Sequence, residues 1–243
     1  MTNIFFVVPA YREPKGLELT LLEIDEVIGR LKNIASNIEK ITILRIDSEN
    51  NRDDKLTLEV AKQLSDKVLI QKSSGKGAAI AEAIEYIFRR YQSDERNSFL
   101  VLTDADHTYD LSNLHRMILM MLTNERLGMI LGRRVYIFKE QKILVFGNRL
   151  IRLAHLLFNR INVRDPLSGL RVIRLSVLKN QRLESKSFDI EIELNCIVKR
   201  KGYYIFEVPI LYRRRVGTKK LKLSHAIDIM KRIILLFPKM WLL

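Results

Sequence analysis

Asp104 and Asp106 stand two residues apart, directly after an apolar run at 99–103. At the end of a strand this spacing brings both carboxylates near one point, where a hard divalent cation can bridge them to a diphosphate. Taken alone, the pair is also ordinary acidic turn chemistry. Two bare carboxylates there would repel each other unless a cation or an arginine compensates. Ser73, Ser74, Gly75, Lys76 and Gly77 precede a helical pattern and form a candidate phosphate cradle, with glycines for close backbone approach and a helix N-terminus for donors. Their spacing fits neither a P-loop nor a dinucleotide fingerprint, which excludes the usual ATPase reading. Pro9, Ala10, Tyr11, Arg12 and Glu13 follow one apolar run and Asp47 follows the next. These residues can close over a base or ribose, or serve as plain turn residues. Arg133, Arg134, Arg171, Arg213 to Arg215, Lys219 and Lys220 can bind phosphate; singly, such residues are more often solvated surface charge. His107, His115, His155 and His225 show no metal-ligand spacing, and Cys196, in an apolar helical pattern, reads as core.

The elements that must position these groups are legible in the first 132 residues. Apolar, β-rich runs at 4–8, 41–46, 68–70, 99–103 and 129–131 alternate with helical patterns at 17–32, 55–64, 76–91 and 111–123. This order predicts an α/β fold with a parallel sheet covered on both faces. In such sheets ligands bind beyond the carboxyl ends of the strands, where the polar clusters above all fall. After Arg134 the alternation breaks. A basic amphipathic helix is expected over 139–159, a turn at 165–169, a strand at 170–174, a helix at 188–201 and a strand at 203–212, whose Pro209 predicts an edge or a bulge.

Length and charge bound the function. The 243 residues, 47% hydrophobic, can build a full core, and a single cysteine excludes a disulfide-stapled scaffold and favours a reducing cytosolic setting. No basic leader or cleavage site precedes the first apolar run. The net charge of +14 is uneven: residues before 133 hold 17 Lys/Arg against 20 Asp/Glu, so the excess lies behind them. A basic back half seeks polyanions, whether nucleic acid, phosphorylated substrates or an anionic membrane. The run ending at Leu243 is too short to span a bilayer, which needs roughly 20 apolar residues. Ile227, Met230, Ile233, Ile234 and Phe237 share one helical face, which either lies on a membrane or packs on the domain.

The ordered set of motifs resembles the family two glycosyltransferases of GT-A fold, more closely their dolichyl-phosphate mannosyltransferase and polyprenyl-phosphate glycosyltransferase branch. The resemblance covers residues 4 to 223. It rests on Val8 to Glu13, Gly75 to Gly77, Asp104 to Asp110, Gly132 to Arg134, Gly147 with Asn148, Asp165 to Arg171, Phe188 to Glu193 and Glu207 to Leu221. It implies a mostly parallel central sheet, a nucleotide-sugar half at 1–132 and an acceptor half at 133–223, while the apolar helical face noted above is expected to form an amphipathic membrane-associated tail at 224–243. Pro9, Tyr11, Glu13, Asp47, Lys76, Asp104, Ala105 and Asp106 match nucleotide-sugar positions, and Asp104 and Asp106 match the pair that binds Mg²⁺ or Mn²⁺. Arg134, Asn148, Arg149, Arg215 and Lys220 match positions facing the acceptor phosphate, with Asp106 and Arg134 nearest the chemistry. Two departures stand out. Asp47, Ser48, Glu49 and Asn50 replace the family's paired aspartates and glycine, and Lys219 stands where a serine is usual.

The activity so implied is inverting transfer of a hexose from a nucleotide diphosphate sugar to a polyprenyl or dolichyl phosphate. The enzyme would work as a peripheral protein on the cytoplasmic face of the cell membrane. Many members carry transmembrane helices after this point, and whether a separate membrane subunit supplies them here is left open by the sequence. Glu191 and Glu193 would orient arginines or be ordinary helix charges. A transferase acting on a soluble or protein-linked glycan and a nucleotidyltransferase are the enzymatic alternatives. A basic nucleic-acid-binding protein is the non-catalytic one, and it leaves the carboxylate loops without a purpose and lacks an aromatic platform.

Overall fold

Strands β1 (Asn3–Ala10) and β4 (Phe99–Leu102) are apolar without alternation because both of their faces are covered, and every residue from Ile4 to Val8 is fully buried. The computed structural model describes residues 2–48, 50–91, 96–136, 142–217 and 223–241. Helix α1 (Pro14–Leu31), which begins on a proline as first helical turns favour, leads to β2 (Asn37–Leu44). Then follow α2 (Arg52–Leu64), β3 (Lys67–Ile70) and α3 (Lys76–Arg90) before β4. Beyond β4 come α4 (Leu114–Thr123), β5 (Leu127–Tyr136), α5 (Lys142–Asn159), β6 (Arg171–Arg174), α6 (Leu175–Leu178), α7 (Ile190–Arg200), β7 (Tyr204–Tyr212) and α8 (Leu223–Trp241).

These strands form one sheet in the order β3-β2-β1-β4-β6-β5-β7. All neighbours are parallel except β6, which runs antiparallel to both β4 and β5. The order reverses direction beside β1, so the ends of β1 and β4 open a crevice at that point. One face carries a core built with α3, α5, α7 and α8, the other a core built with α1, α2 and α4. Pro209 lies in β7 at the sheet's edge, as its presence predicts. Strand β5 is longer than expected because its pairing with β7 continues to Tyr136 opposite Tyr212. Arg133 and Arg134 therefore sit within a strand, not in the loop after one.

The basic back half is less of a surface than its count implies. Arg171 and Arg174 are 1% and 3% exposed. Arg174 donates to the carbonyls of Met121, Asn124 and Leu127 and so closes the end of α4. Arg171 donates to the carbonyls of Pro166 and Ser168 (both 2.8 Å) and to Asn195 Oδ1 (2.7 Å). Cys196 is buried core, its thiol pushed up to about 12 by desolvation.

Helix α8 is packed and exposed at once. Ile229, Ile233, Leu236 and Met240 join the core beside α5 and α7, whereas Ile227, Ile234 and Leu235 are more than half exposed. Among the described residues no helix is long and apolar enough to cross a membrane. A buried polar chain ties α8 to the sheet: Asn159 Nδ2 donates to the Ile233 carbonyl (3.2 Å), and Asn159 Oδ1 lies 2.9 Å from His155 Nδ1. His155 Nε2 in turn lies 3.3 Å from the Asn195 amide nitrogen. A neutral imidazole protonated on Nδ1 satisfies every partner, and desolvation lowers the His155 pKa from 6.5 to about 4.

This buried histidine makes a pH prediction. The unfolded chain takes up a proton on His155 below pH 6.5 while the folded one does not, so stability falls as the pH falls toward 4. Between pH 7 and pH 5 the residue should account for about 2 kcal/mol of lost stability. Urea unfolding of wild type and His155→Gln at both values checks this, since the variant's loss should be smaller by that amount; equal losses refute it.

Candidate active site

The crevice beyond β1 and β4 is a cleft of about 470 Å³. Its lining gathers Pro9, Tyr11, Glu13, Lys76, Asp104, Ala105, Asp106 and Arg215 from among the expected residues, and adds Arg45, Gln71, Phe188 and His225. Asp47 accepts from Tyr11 Oη (2.5 Å) and Arg45 Nε (2.6 Å), and Arg12 and Arg45 both lie over the Tyr11 ring. These hydrogen bonds, the Tyr11 hydroxyl's first, hold Asp47 below the usual carboxylate range. Asp47 thus positions Tyr11 and Arg45, and it is those two that line the cleft.

Asp104 and Asp106 leave the end of β4 together. Gly169 lies against Asp104, and a Cβ there would come within 2.6 Å of Asp104 Oδ2, so only glycine leaves the carboxylate its place. The Gly169 amide is held by Tyr109 Oη at 2.7 Å. Asp106 Oδ1 accepts from the amide (3.1 Å) and hydroxyl (2.6 Å) of Thr108. The segment at 213–216 pairs with this loop, Arg213 N donating to Thr108 O and Val216 N to Asp106 O. That pairing sets the Arg215 guanidinium on Asp106 Oδ2, with its Nη1 3.2 Å from Glu13 Oε1.

The repulsion between the two aspartates is met by one protein cation each. Lys76 Nζ sits 2.6 Å from Asp104 Oδ1 and 2.7 Å from Glu191 Oε1. Desolvation pushes the Asp104 pKa up, but the Lys76 ammonium, with Arg215 and Arg134, holds it below its ordinary value. Asp106 moves the other way: burial and the Asp104 charge raise it, against Arg215 and Thr108.

Two of the residues expected to face an acceptor phosphate, Arg134 and Asn148, gather elsewhere. Arg134 Nε and Nη2 both donate to Asp165 at 2.7 Å, its amide to the same carboxylate at 3.0 Å, and the guanidinium lies over the Tyr136 and Tyr212 rings. Asn148 Nδ2 reaches Asp165 Oδ1 at 3.0 Å. Burial disfavours the Asp165 charge, yet Arg134 keeps its carboxyl below the ordinary range. Arg134 is therefore part of a buried clamp behind the cleft, felt by Asp104 through charge. Arg149 is exposed on α5, and Lys220 lies outside the described residues.

Several residues escaped the sequence reading. Asp165 is the hub of Arg134 and Asn148, and Glu207 supports it by accepting from the amides of Arg164 and Asp165. Both stand in motifs already quoted, but their role needs the tertiary pairing. Glu191 and Glu193 are buried, and their hydrogen bonds go to Lys76 and to the amides of Glu184 and Ser185 rather than to arginines. Neither is a solvated helix charge.

Residues 5–181 match the profile of Glycosyl transferase family 2. The chain belongs to that family. It is 26% identical over 227 residues to the dolichyl-phosphate hexose transferase of Haloferax volcanii, covering 90% of this chain and 86% of that protein. It is also 23% identical over 241 residues to the dolichol-phosphate mannosyltransferase of Pyrococcus furiosus, covering 95% of this chain and 62% of that one. Among solved structures, glucosyl-3-phosphoglycerate synthase from Mycobacterium tuberculosis superposes with a TM-score of 0.67 at 17% identity, over 96% of this chain and 78% of its own. That likeness places the transferase in the GT-A fold. The same synthase is known in complex with Mn²⁺ and UDP-glucose.

The Arg134–Asp165 clamp yields a stability prediction for the transferase. Its two side chains are 12% and 3% exposed, and removing one member of such a pair leaves a buried charge uncompensated. Asp165→Ala should lower the unfolding free energy by about 3 kcal/mol or more in denaturant titration. A loss within about 0.5 kcal/mol, the range of ordinary surface substitutions, refutes the clamp's importance.

Proposed function

We propose that this transferase moves a hexosyl group from a nucleotide diphosphate sugar to the phosphate of a polyprenol, dolichol included, with inversion and at the cytoplasmic surface of a membrane. The observation that carries the reading is the pair of carboxylates at the strand crossing, matched to cations in a cleft of donor size. It is supported by relatives named for dolichyl-phosphate transfer.

The donor set fits a divalent cation. Asp106 Oδ2 is buried without a hydrogen bond and is compensated by an ion pair with Arg215. Among the described residues no three His, Cys, Asp or Glu side chains converge to hold a metal, so other ligands must come from the diphosphate and water, as Mg²⁺ prefers. Bound by Asp104 and Asp106, Mg²⁺ or Mn²⁺ would offset negative charge on the leaving diphosphate. Tyr11 and Arg45 receive the nucleoside, and Arg215 stands where a phosphate oxygen needs a partner. A phosphate monoester is already anionic at neutral pH and attacks without first losing a proton to a base.

The membrane side is supported by the outer faces of α5 and α8. Leu150, Leu153 and Leu157 on one helix and Ile227, Ile234 and Leu235 on the other are all more than half exposed. Arg149, Arg152, Lys231 and Lys239 lie on the same two helices, and each basic residue near an anionic surface contributes about 1 kcal/mol.

Two experiments test these statements. UDP-glucose, UDP-GlcNAc and GDP-mannose are each supplied with short polyprenyl phosphate and Mn²⁺; one should give lipid-linked sugar, and Asp106→Ala should cut its rate about a hundredfold. Equal product from the variant, or turnover only with water-soluble acceptors, overturns the reading. The protein should sediment with anionic liposomes at low salt and less so with Leu153→Glu and Leu235→Glu; wild type left in the supernatant overturns the membrane part.

A further inference from the structure

Lys76, the first residue of α3, is held by backbone that has no room to shift. Gly75 adopts φ +104°, which favours glycine, and a Cβ on Gly75 or Gly77 would strike the carbonyl oxygens of Lys186 or Ser185 at 2.1 and 2.4 Å. The turn carrying Lys76 is therefore pressed onto the segment that leads into α7, where Glu191 stands. What can move is the flexible four-carbon stem of the lysine.

The ammonium touches two carboxylates of different character. Asp104 belongs to the cleft, and its side chain is 27% exposed; that of Glu191 is 5% exposed, behind the cleft. Glu191 Oε1 already accepts from Lys76, while Glu191 Oε2 is buried with no hydrogen-bond partner among the described residues. A buried acceptor left unfilled beside a group with three donors is a vacancy that the same group can fill. Meanwhile Lys76 occupies Asp104 Oδ1, an oxygen that a metal at Asp104 would need. Two cations cannot share that oxygen at bonding distance without strong repulsion.

We propose that Lys76 is a built-in counter-cation, which neutralises Asp104 when the site is empty and passes wholly to Glu191 when a divalent cation arrives. Glu191 thereby sets how readily the site accepts that cation. The inference rests on the reading that Asp104 and Asp106 hold a metal. Lys76 and Glu191 are positioning residues here, and their effects have opposite signs. Removing the ammonium removes a competitor. Neutralising Glu191 takes away the second seat and leaves Lys76 on Asp104.

The test is Mn²⁺ titration of the whole protein without donor, following free ion by electron paramagnetic resonance. Lys76→Met should bind Mn²⁺ about tenfold more tightly than wild type and Glu191→Gln about tenfold more weakly, with the double variant following Lys76→Met. Lys76→Gln, which keeps hydrogen bonding without charge, carries the same expectation should the methionine variant fail to fold; thermal unfolding identifies that case. Unchanged or weaker binding by folded Lys76 variants, or shifts of the same sign in both single variants, overturns the counter-cation role. Asp106→Ala separates this from the parent reading. If it abolishes Mn²⁺ binding while the Lys76 variants bind as wild type does, the counter-cation role alone fails. If it binds as wild type does, or no form binds with or without UDP-glucose, both fail.

Discussion

Two carboxylates forced together at the end of a buried strand repel each other, and the rest of the site is arranged around that repulsion. Asp104 and Asp106 cannot separate, because β4 is enclosed by β1 and β6 and the loop is tied down through Thr108 and Gly169. Their charge has to be answered from outside the strand. The chain does so with residues distant in sequence: Lys76 from the turn before α3 and Arg215 from the segment after β7. Each cation is in turn shared with a second carboxylate, Glu191 or Glu13. The consequence is a graded site, with the Asp104 carboxyl held below its ordinary pKa by Lys76 and that of Asp106 raised above it by burial and by the Asp104 charge.

A second polar layer lies behind the first and does structural work. Asp165 gathers Arg134 and Asn148, Glu207 fixes the backbone of Asp165, and Arg171 holds the carbonyls of the same loop. Gly169, at the end of that loop, is what lets Asp104 lie where it does. Buried charges of this kind add little net stability over apolar packing, but breaking one is costly, so they hold a loop to one geometry. The basic composition of the back half is in part this internal scaffold, with further basic residues on α5 and α8 and at the end of α7.

The front half of the fold was legible because its strands are enclosed on both sides and its turns are short. Continuous runs such as 4–8 and 99–103 mark parallel strands, and the polar residues after them fall at one edge of the sheet. The back half was not legible in the same way. Strand β6 enters antiparallel between β4 and β5, and no local pattern announces a pairing of Leu102 with Arg171. Arg134 was expected in a loop facing a ligand, yet continued pairing with β7 keeps it in a strand where Asp165 takes its donors. Glu191 looked like one charge among several on a helix; its partner Lys76 is 115 residues away. Asp104, Asp106 and Lys76 were readable as chemistry from type and position, whereas the contacts that tune them depend on non-local packing.

Helix α8 lends its inner face to the same core as α3, α5 and α7, and its Ile233 carbonyl closes the polar chain through Asn159. It is therefore a structural wall of the domain whose outer side is apolar. A partner that recognises that outer side together with the neighbouring α5 binds only the folded chain. By mass action, such a surface acts as a ligand of the native state and stabilises the whole domain against unfolding. Binding at that face and folding of the domain would then be linked through a single helix.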